Sequence, residues 1–211
     1  KQYRDGMVGR TAGFGQIYEN TLLSSQTTGT ALSATTYTVN GAVTANGSTA
    51  VTVAVGATTF KKGDIFTVFG CNRVHPETKA DTGSLQQFVV TADYAGGAGS
   101  LSFAPAIYTS GGRQNVVAAG MANGAALVKL GGASAVYRPS LAYHKNAFAF
   151  ATADLQMPEG VDFSAREVYD GISMRMVRQY VISSDTFPCR LDVLYGYKTI
   201  RAQMAARILS N

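Results

Sequence analysis

Between residues 35 and 137 the chain is cut into short apolar runs, each too brief for a helix and most of them followed by a glycine-bearing turn. The runs are Thr38-Val39 and residues 50–55, 64–69, 87–92, 100–103, 115–117 and 126–130. The turns are Asn46-Gly47, Gly63-Asp64, Gly96-Gly97 and Gly131-Gly132. Val, Thr, Tyr and Phe recur within the runs, and branched or aromatic side chains suit a pleated surface. Short strands at this spacing specify a compact antiparallel barrel or sandwich. Twenty-three glycines against five prolines, with no tryptophan, fit a turn-rich chain of mainly β structure.

The flanks read differently. Glycines at 9, 13 and 15 argue against a helix near the start, and Phe14, Ile17 and Tyr18 begin a short strand. Residues 24–34 are a Ser/Thr/Gly/Gln stretch without apolar periodicity, which reads as a linker. Arg138-Pro139 marks the exit from the β region, because proline drives the residue before it toward extended geometry. Residues 140–150 predict a short helix with Ser140 as its N-cap. A strand over 149–155 follows, closed by Pro158-Glu159-Gly160.

From Ile172 to Tyr180 the alternation puts Ile172, Met174 and Met176 on one face, with Arg178 next in the same register. Ser173, Arg175, Val177 and Gln179 lie on the other. A turn at 185–188 and a strand over 190–196 complete the pattern, and 199–209 is compatible with helix or strand. The expectation is a mainly β fold with some α (α+β), in three parts: 1–34, a β-barrel domain over 35–137, and 138–211. The start at Lys1 rather than Met fits a fragment of a longer protein.

A net charge of +5 is spread thinly. Residues 1–34 carry three basic and two acidic groups, 35–137 six and four, and 138–211 nine and seven. No segment is a basic tail of the kind that reads nucleic acid, so phosphate contact is non-specific at most. Cys71 and Cys189 are far apart without CxxC spacing, so neither a zinc site nor a redox pair is expected, and structural thiols in a reduced setting fit. No apolar run approaches the ~20 residues of a membrane span, and no signal-peptide pattern is visible in these residues.

Catalytic chemistry finds little to use. His75 lies in a polar stretch, His144 beside Lys145, and neither is set among a nucleophile and an acid. Asp154, Glu159, Asp162, Glu167 and Asp170 lack the spacing of a calcium loop and read as an acidic edge opposing arginines of a neighbouring subunit. The glycine clusters match no phosphate-binding fingerprint. No enzyme activity and no cofactor are expected. Two groups suit contacts between subunits. Arg73, His75, Glu77, Lys79 and Asp81 form a loop of mixed charge between strong strands. Arg175, Arg178, Arg190, Arg201 and Arg207 punctuate the last strands, where guanidinium groups either pair with carboxylates in fixed geometry, lie on ordinary solvated strand faces, or face nucleic acid in non-specific contact.

The last third carries a resemblance. It reads Ala-Tyr-His-Lys-Asn-Ala-Phe-Ala-Phe-Ala-Thr-Ala-Asp-Leu over 142–155 and then Gln-Met-Pro-Glu-Gly. Tyr-Asp-Gly-Ile-Ser-Met-Arg-Met-Val-Arg-Gln-Tyr spans 169–180, and Asp-Thr-Phe-Pro-Cys-Arg-Leu-Asp-Val-Leu-Tyr-Gly spans 185–196. This resembles the C-terminal part of tailed-phage major capsid proteins of the P22 coat protein group. The resemblance implies an HK97-like capsid fold whose axial and peripheral pieces flank the inserted β-barrel. It also implies self-assembly into hexamers and pentamers of an icosahedral head, built in the host cytoplasm and ending in the virion. Scaffolding protein, portal and packaged double-stranded DNA are the implied partners, with no membrane. A β-rich binding module, carbohydrate-binding or adhesin-like, is the alternative that residues 35–137 alone would support.

Overall fold

A computed structural model describes residues 7–11, 14–32, 37–54 and 56–210. Lys1, Gly13, Ala34 and Val55 lie outside these. The described residues form sixteen strands and one 3-10 turn, and the chain divides into two compact units. Unit 1 takes residues up to Ser140 together with the last three, and unit 2 runs from Leu141 to Ile208.

Unit 1 is built on a six-stranded antiparallel sheet. Its strands are β4 (Tyr37–Thr38), β5 (Ser48–Val53), β6 (Ile65–Val74), β7 (Asp81–Val90), β8 (Gly99–Ile107) and β9 (Ala126–Leu130), in the order β4-β9-β6-β7-β8-β5. The two ends of this row meet. Val39, just past β4, bridges Val53 of β5, and the backbone bonds Asn40 N to Thr52 O (2.8 Å) and Ala54 N to Thr38 O (2.9 Å) extend the contact. The sheet therefore curls into a near-closed barrel.

Its interior follows from the period-2 pattern of the strands. Phe66 and Val68 of β6, Phe88 and Val90 of β7, Leu101 and Phe103 of β8, and Val51 and Val53 of β5 all point inward and are buried. Phe66, Phe88 and Phe103 pack at centroid separations of 5.0–6.0 Å, and Tyr37, Phe60 and Tyr94 continue the aromatic cluster. Such pairs add about 0.5–1.5 kcal/mol each beyond the area they bury. Cys71 belongs to the same core, and burial pushes its thiol up to about 11. Cys189 is free and exposed in unit 2.

Residues 24–32, expected to be a plain linker, are built into the base of the barrel. Ala31 is fully buried, and β3 (Gln26–Thr27) pairs antiparallel with the start of β10 (Val136–Tyr143). Gly29 sits where no side chain fits, since a Cβ there would lie 2.1 Å from Thr59 O. Earlier in the chain β1 (Met7–Thr11) and β2 (Phe14–Tyr18) form a hairpin.

Unit 2 contains β11 (Phe148–Ala153), β12 (Phe163–Tyr169), β13 (Ile172–Arg178), β14 (Cys189–Asp192) and β15 (Leu194–Thr199). Strand β11 pairs with β15, and β12-β13-β14 form an antiparallel sheet. The last strand, β16 (Ala205–Ser210), neighbours β10 in the order β16-β10-β3. Unit 2 buries little: Ala147 and Ser173 are its only buried residues among those described. On β13 the apolar face of Ile172 and Met174 is exposed while Ser173 is covered. Leu191, Tyr195 and Tyr197 are exposed as well, and Phe150, Tyr195 and Tyr197 stack along β11 and β15.

The α+β expectation does not hold. Strands dominate both units, and the 3-10 turn Ala202–Met204 is the one helical element among the described residues. Unit 1 is a β near-barrel and unit 2 a set of small antiparallel sheets, so the described residues are β-rich rather than α+β. The helix expected over 140–150 with Ser140 as cap is instead the end of β10, a tight turn and β11. The turn is closed by Ala147 N to His144 O (2.8 Å) and by Asn146 N to His144 Nδ1 (3.2 Å). Leu141, Ala142, Lys145 and Ala147 are good helix formers, but intrinsic propensity is worth less than about 1 kcal/mol per residue, and six consecutive cross-strand pairs between β11 and β15 outweigh it. Over 199–209 the chain takes the 3-10 turn and then β16.

Two outcomes test this packing. Gly29→Ala lowers the stability of unit 1 by about 1–3 kcal/mol, the usual cost of forcing atoms into a packed site. Leu32→Ser, at an exposed position, stays within about 0.5 kcal/mol. Urea titration of both variants reads the difference. A thiol reagent applied to the native chain modifies one cysteine, Cys189, and reaches Cys71 only after denaturant is added. Mass spectrometry of the labelled peptides distinguishes the two.

Candidate functional site

The mixed-charge loop is the tip of the β6–β7 hairpin. Its five expected contact residues come together there, but most are occupied in shaping the turn. His75 N donates to Ala80 O (2.8 Å) and Lys79 N to His75 O (3.0 Å), closing the tip. The His75 ring accepts at Nδ1 from the backbone of Glu77 and Thr78, both at 3.3 Å. Lys79 turns back with a φ of 59° and gives its ammonium to Pro76 O (2.6 Å) and Gly112 O (2.8 Å), tying the tip to the neighbouring loop. Asp81 accepts from Asn72 Nδ2 (2.9 Å) and Gly83 N (2.8 Å), and these bonds hold its carboxyl below the usual carboxylate range. Arg73 and Glu77 remain. Both are exposed, with no side-chain partner among the described residues. A rigid tip thus presents one cation and one anion to the outside.

The second group lies on β13 and β14. Antiparallel register sets Arg175 opposite Asp192 and Val177 opposite Arg190, so all four share one face. Asp192 is bracketed: Arg175 Nη2 donates to Oδ2 and Arg190 Nε to Oδ1. These bonds hold the Asp192 carboxyl below its ordinary value. Arg175 Nη1 also donates to Gln156 O, whereas its Nε is buried without a partner. A cleft of about 330 Å³ opens beside the trio, walled by Pro158, Val161, Val177 and Pro188 and bordered by Gln179. Arg178 projects elsewhere, lying over the rings of Phe163 and Phe187 and 3.6 Å from Asp162. Arg201 is exposed and Arg207 half-buried.

The remaining candidates resolve into structural roles. His144, like His75, spends Nδ1 on a turn, and neither lies within a nucleophile–acid arrangement. Two of the clustered acids face arginines of this same chain: Asp154 meets Arg166 at 3.6 Å, and Asp162 meets Arg178. Among the described residues no group of His, Cys, Asp and Glu is placed to hold a metal ion. No helix among the described residues is long and apolar enough to cross a membrane.

One cluster escaped the sequence reading. Lys129 is 1% exposed and makes no carboxylate ion pair among the described residues; its ammonium donates to Gly132 O (2.7 Å) and Gly29 O (3.2 Å). Gly29 N in turn donates to the buried Asp64 Oδ2 (2.9 Å), which also accepts from Lys61 N (2.9 Å). The signal was present, because Lys129 follows Leu127 by two residues and so shares its inward face.

A profile of the P22 coat protein, gene protein 5, matches residues 1–209. The chain belongs to the P22 coat protein family. Among solved structures it is similar to the CUS-3 coat protein I-domain, at 29% identity over 46% of this chain and 97% of that one, with a TM-score of 0.36. A comparison with curated proteins found no match. Membership assigns the chain a structural role in a phage capsid, and hence a place in the virion.

In this coat protein the Asp192 trio makes unit 2 sensitive to acid. The folded-state pKa of Asp192 is depressed, so its contribution to stability is present above the ordinary carboxylate range. It is lost as pH falls below ~4 through the folded value. Asp192→Asn removes that dependence. Thermal melts between pH 3 and 7 therefore show a shallower acid loss for the variant than for the parent chain.

Proposed function

We propose that this chain is part of a major capsid protein that assembles into hexamers and pentamers of an icosahedral head around double-stranded DNA. Residues 35–137 are its inserted domain, flanked by the pieces 1–34 and 138–211. The observation that carries the reading is the family match along nearly the whole chain. The uncovered apolar face of unit 2 supports it physically. Ile172, Met174 and Leu191 on the β12-β13-β14 sheet, and Tyr195 and Tyr197 on the β11-β15 pair, leave apolar side chains uncovered, and shared interfaces complete such surfaces in closed assemblies.

Within this reading the work is structural rather than catalytic. Arg73 and Glu77 at the hairpin tip make contacts between neighbouring capsomers, held in place by His75, Lys79 and Asp81. Arg175, Arg178 and Arg190 serve interfaces between subunits. Scaffolding protein and portal are the further protein partners. Contact with packaged DNA is non-specific and weakens with salt, because the charge is dispersed.

Electron microscopy of the full reading-frame product, expressed alone and with its neighbouring genes, tests the proposal. Closed shells or capsomer rings are expected, and Glu77→Lys lowers the yield of closed shells while capsomers persist. Uniform monomers under both conditions would overturn it.

A further inference from the structure

Three Asn-Gly pairs turn the chain in unit 1: Asn40-Gly41, Asn46-Gly47 and Asn123-Gly124. Their glycines sit at positive φ (88°, 88° and 75°), where a side chain would be strained, so the turns themselves call for glycine. The same pairing carries a chemical liability. Without a Cβ to hinder it, the glycine backbone nitrogen can reach the carboxamide carbon of the asparagine before it. Attack needs a carboxamide free to rotate toward the chain and a glycine N–H that is not engaged elsewhere. A hydrogen-bonded N–H must first break that bond, which slows the reaction.

The fold meets these conditions unequally. At Asn46 both are denied. Its Oδ1 accepts from Thr109 N (2.8 Å), its Nδ2 donates to Ser110 Oγ (3.0 Å), and Gly47 N donates to Ile107 O (2.7 Å). At Asn123 the side-chain Oδ1 accepts from Gly41 N (2.8 Å), and Gly124 N donates to Val39 O (2.8 Å). Asn40 differs in both respects. Its exposed carboxamide has no hydrogen bond among the described residues. Gly41 N is held by the exposed Asn123 side chain rather than by a backbone carbonyl.

We propose that Asn40 is a site of spontaneous deamidation and that Asn123 restrains it. Gly41 N loses its proton to solvent base and bonds to Asn40 Cγ. The bond from Cγ to Nδ2 breaks, and ammonia leaves with a proton returned from water, closing a cyclic imide. Water then opens the ring at either carbonyl to give aspartate or isoaspartate. The net reaction consumes one water and releases one ammonia. Either product adds a negative charge, and isoaspartate also inserts a methylene into the backbone. That insertion falls at the seam of the barrel, where Asn40 N donates to Thr52 O (2.8 Å) and Val39 bridges Val53. Deamidation therefore loosens the closure of unit 1 as the chain ages.

The test ages the full chain in mildly alkaline heavy-oxygen water and reads each Asn-Gly peptide by mass spectrometry. Solvent oxygen marks the conversions that occur during ageing. Asn40 converts first in the folded chain, whereas in denaturant all three pairs convert at similar rates. Asn123→Ala speeds conversion at Asn40 about fivefold, the factor that one ordinary hydrogen bond carries, and leaves Asn46 unchanged. Asn123→Asp keeps an acceptor for Gly41 N, so Asn40 stays slow. Circular dichroism confirms that both variants are folded. Asn46 or Asn123 converting first, or Asn40 proving as inert as the other two, would overturn the proposal. An Asn123→Ala chain that leaves Asn40 no faster, or speeds Asn46 equally, removes the restraining role.

Discussion

The lower end of unit 1 depends on a lysine held in place by carbonyl groups. Lys129 reaches across to Gly29 O and Gly132 O, and Gly29 passes the constraint on to Asp64 through its own N–H. Burial pulls the lysine below its ordinary pKa, and the nearby Asp64 charge partly restores it. One oxygen of Asp64 is left without a partner, so the arrangement carries a real desolvation cost. What it secures is the meeting of the strand that enters the barrel with the strand that leaves it. Thr28 adds a bond to Gly132 O and a reciprocal pair with Ala135. Holding these ends together fixes the closure of a long loop, whose entropic cost would otherwise recur with every fluctuation.

The β architecture of unit 1 was legible because period-2 burial writes itself into sequence. Phe66 with Val68, and Leu101 with Phe103, announce the inward faces of their strands. The base was not legible, since its partners are backbone groups: nothing in a Ser/Thr/Gly stretch says that Gly29 lies against Thr59 or that a lysine will cap it. The helix expected over 140–150 failed for a related reason. Weak local preference decides only where pairing does not, and β11 has a full-length partner in β15. The contact residues were legible as residue types but not as roles. Lys79 and His75 looked available and are bound into the turn, whereas Arg175 and Arg190 looked like two of many arginines and converge on the single carboxylate of Asp192.

The contrast between the units is energetic. Unit 1 completes an aromatic core inside its own chain. Unit 2 places Ser173 inward and Ile172 and Met174 outward, the reverse of what a self-sufficient sheet would do. A sheet of two or three short strands is marginal in water without a covered face. The part of this coat protein that looks least finished by itself is therefore the part with most to gain from neighbours.

Near-closure of the barrel has a consequence for crowding. Strand edges with free N–H and C=O groups invite other chains to add to them, the common route to fibres. In unit 1 the Val39 segment is bonded on one side to Ala125 and on the other to Thr52, so the sheet offers little open edge. Many copies can then stand side by side at very high local concentration without their backbones joining. Association is then left to side chains rather than to backbone pairing between sheets.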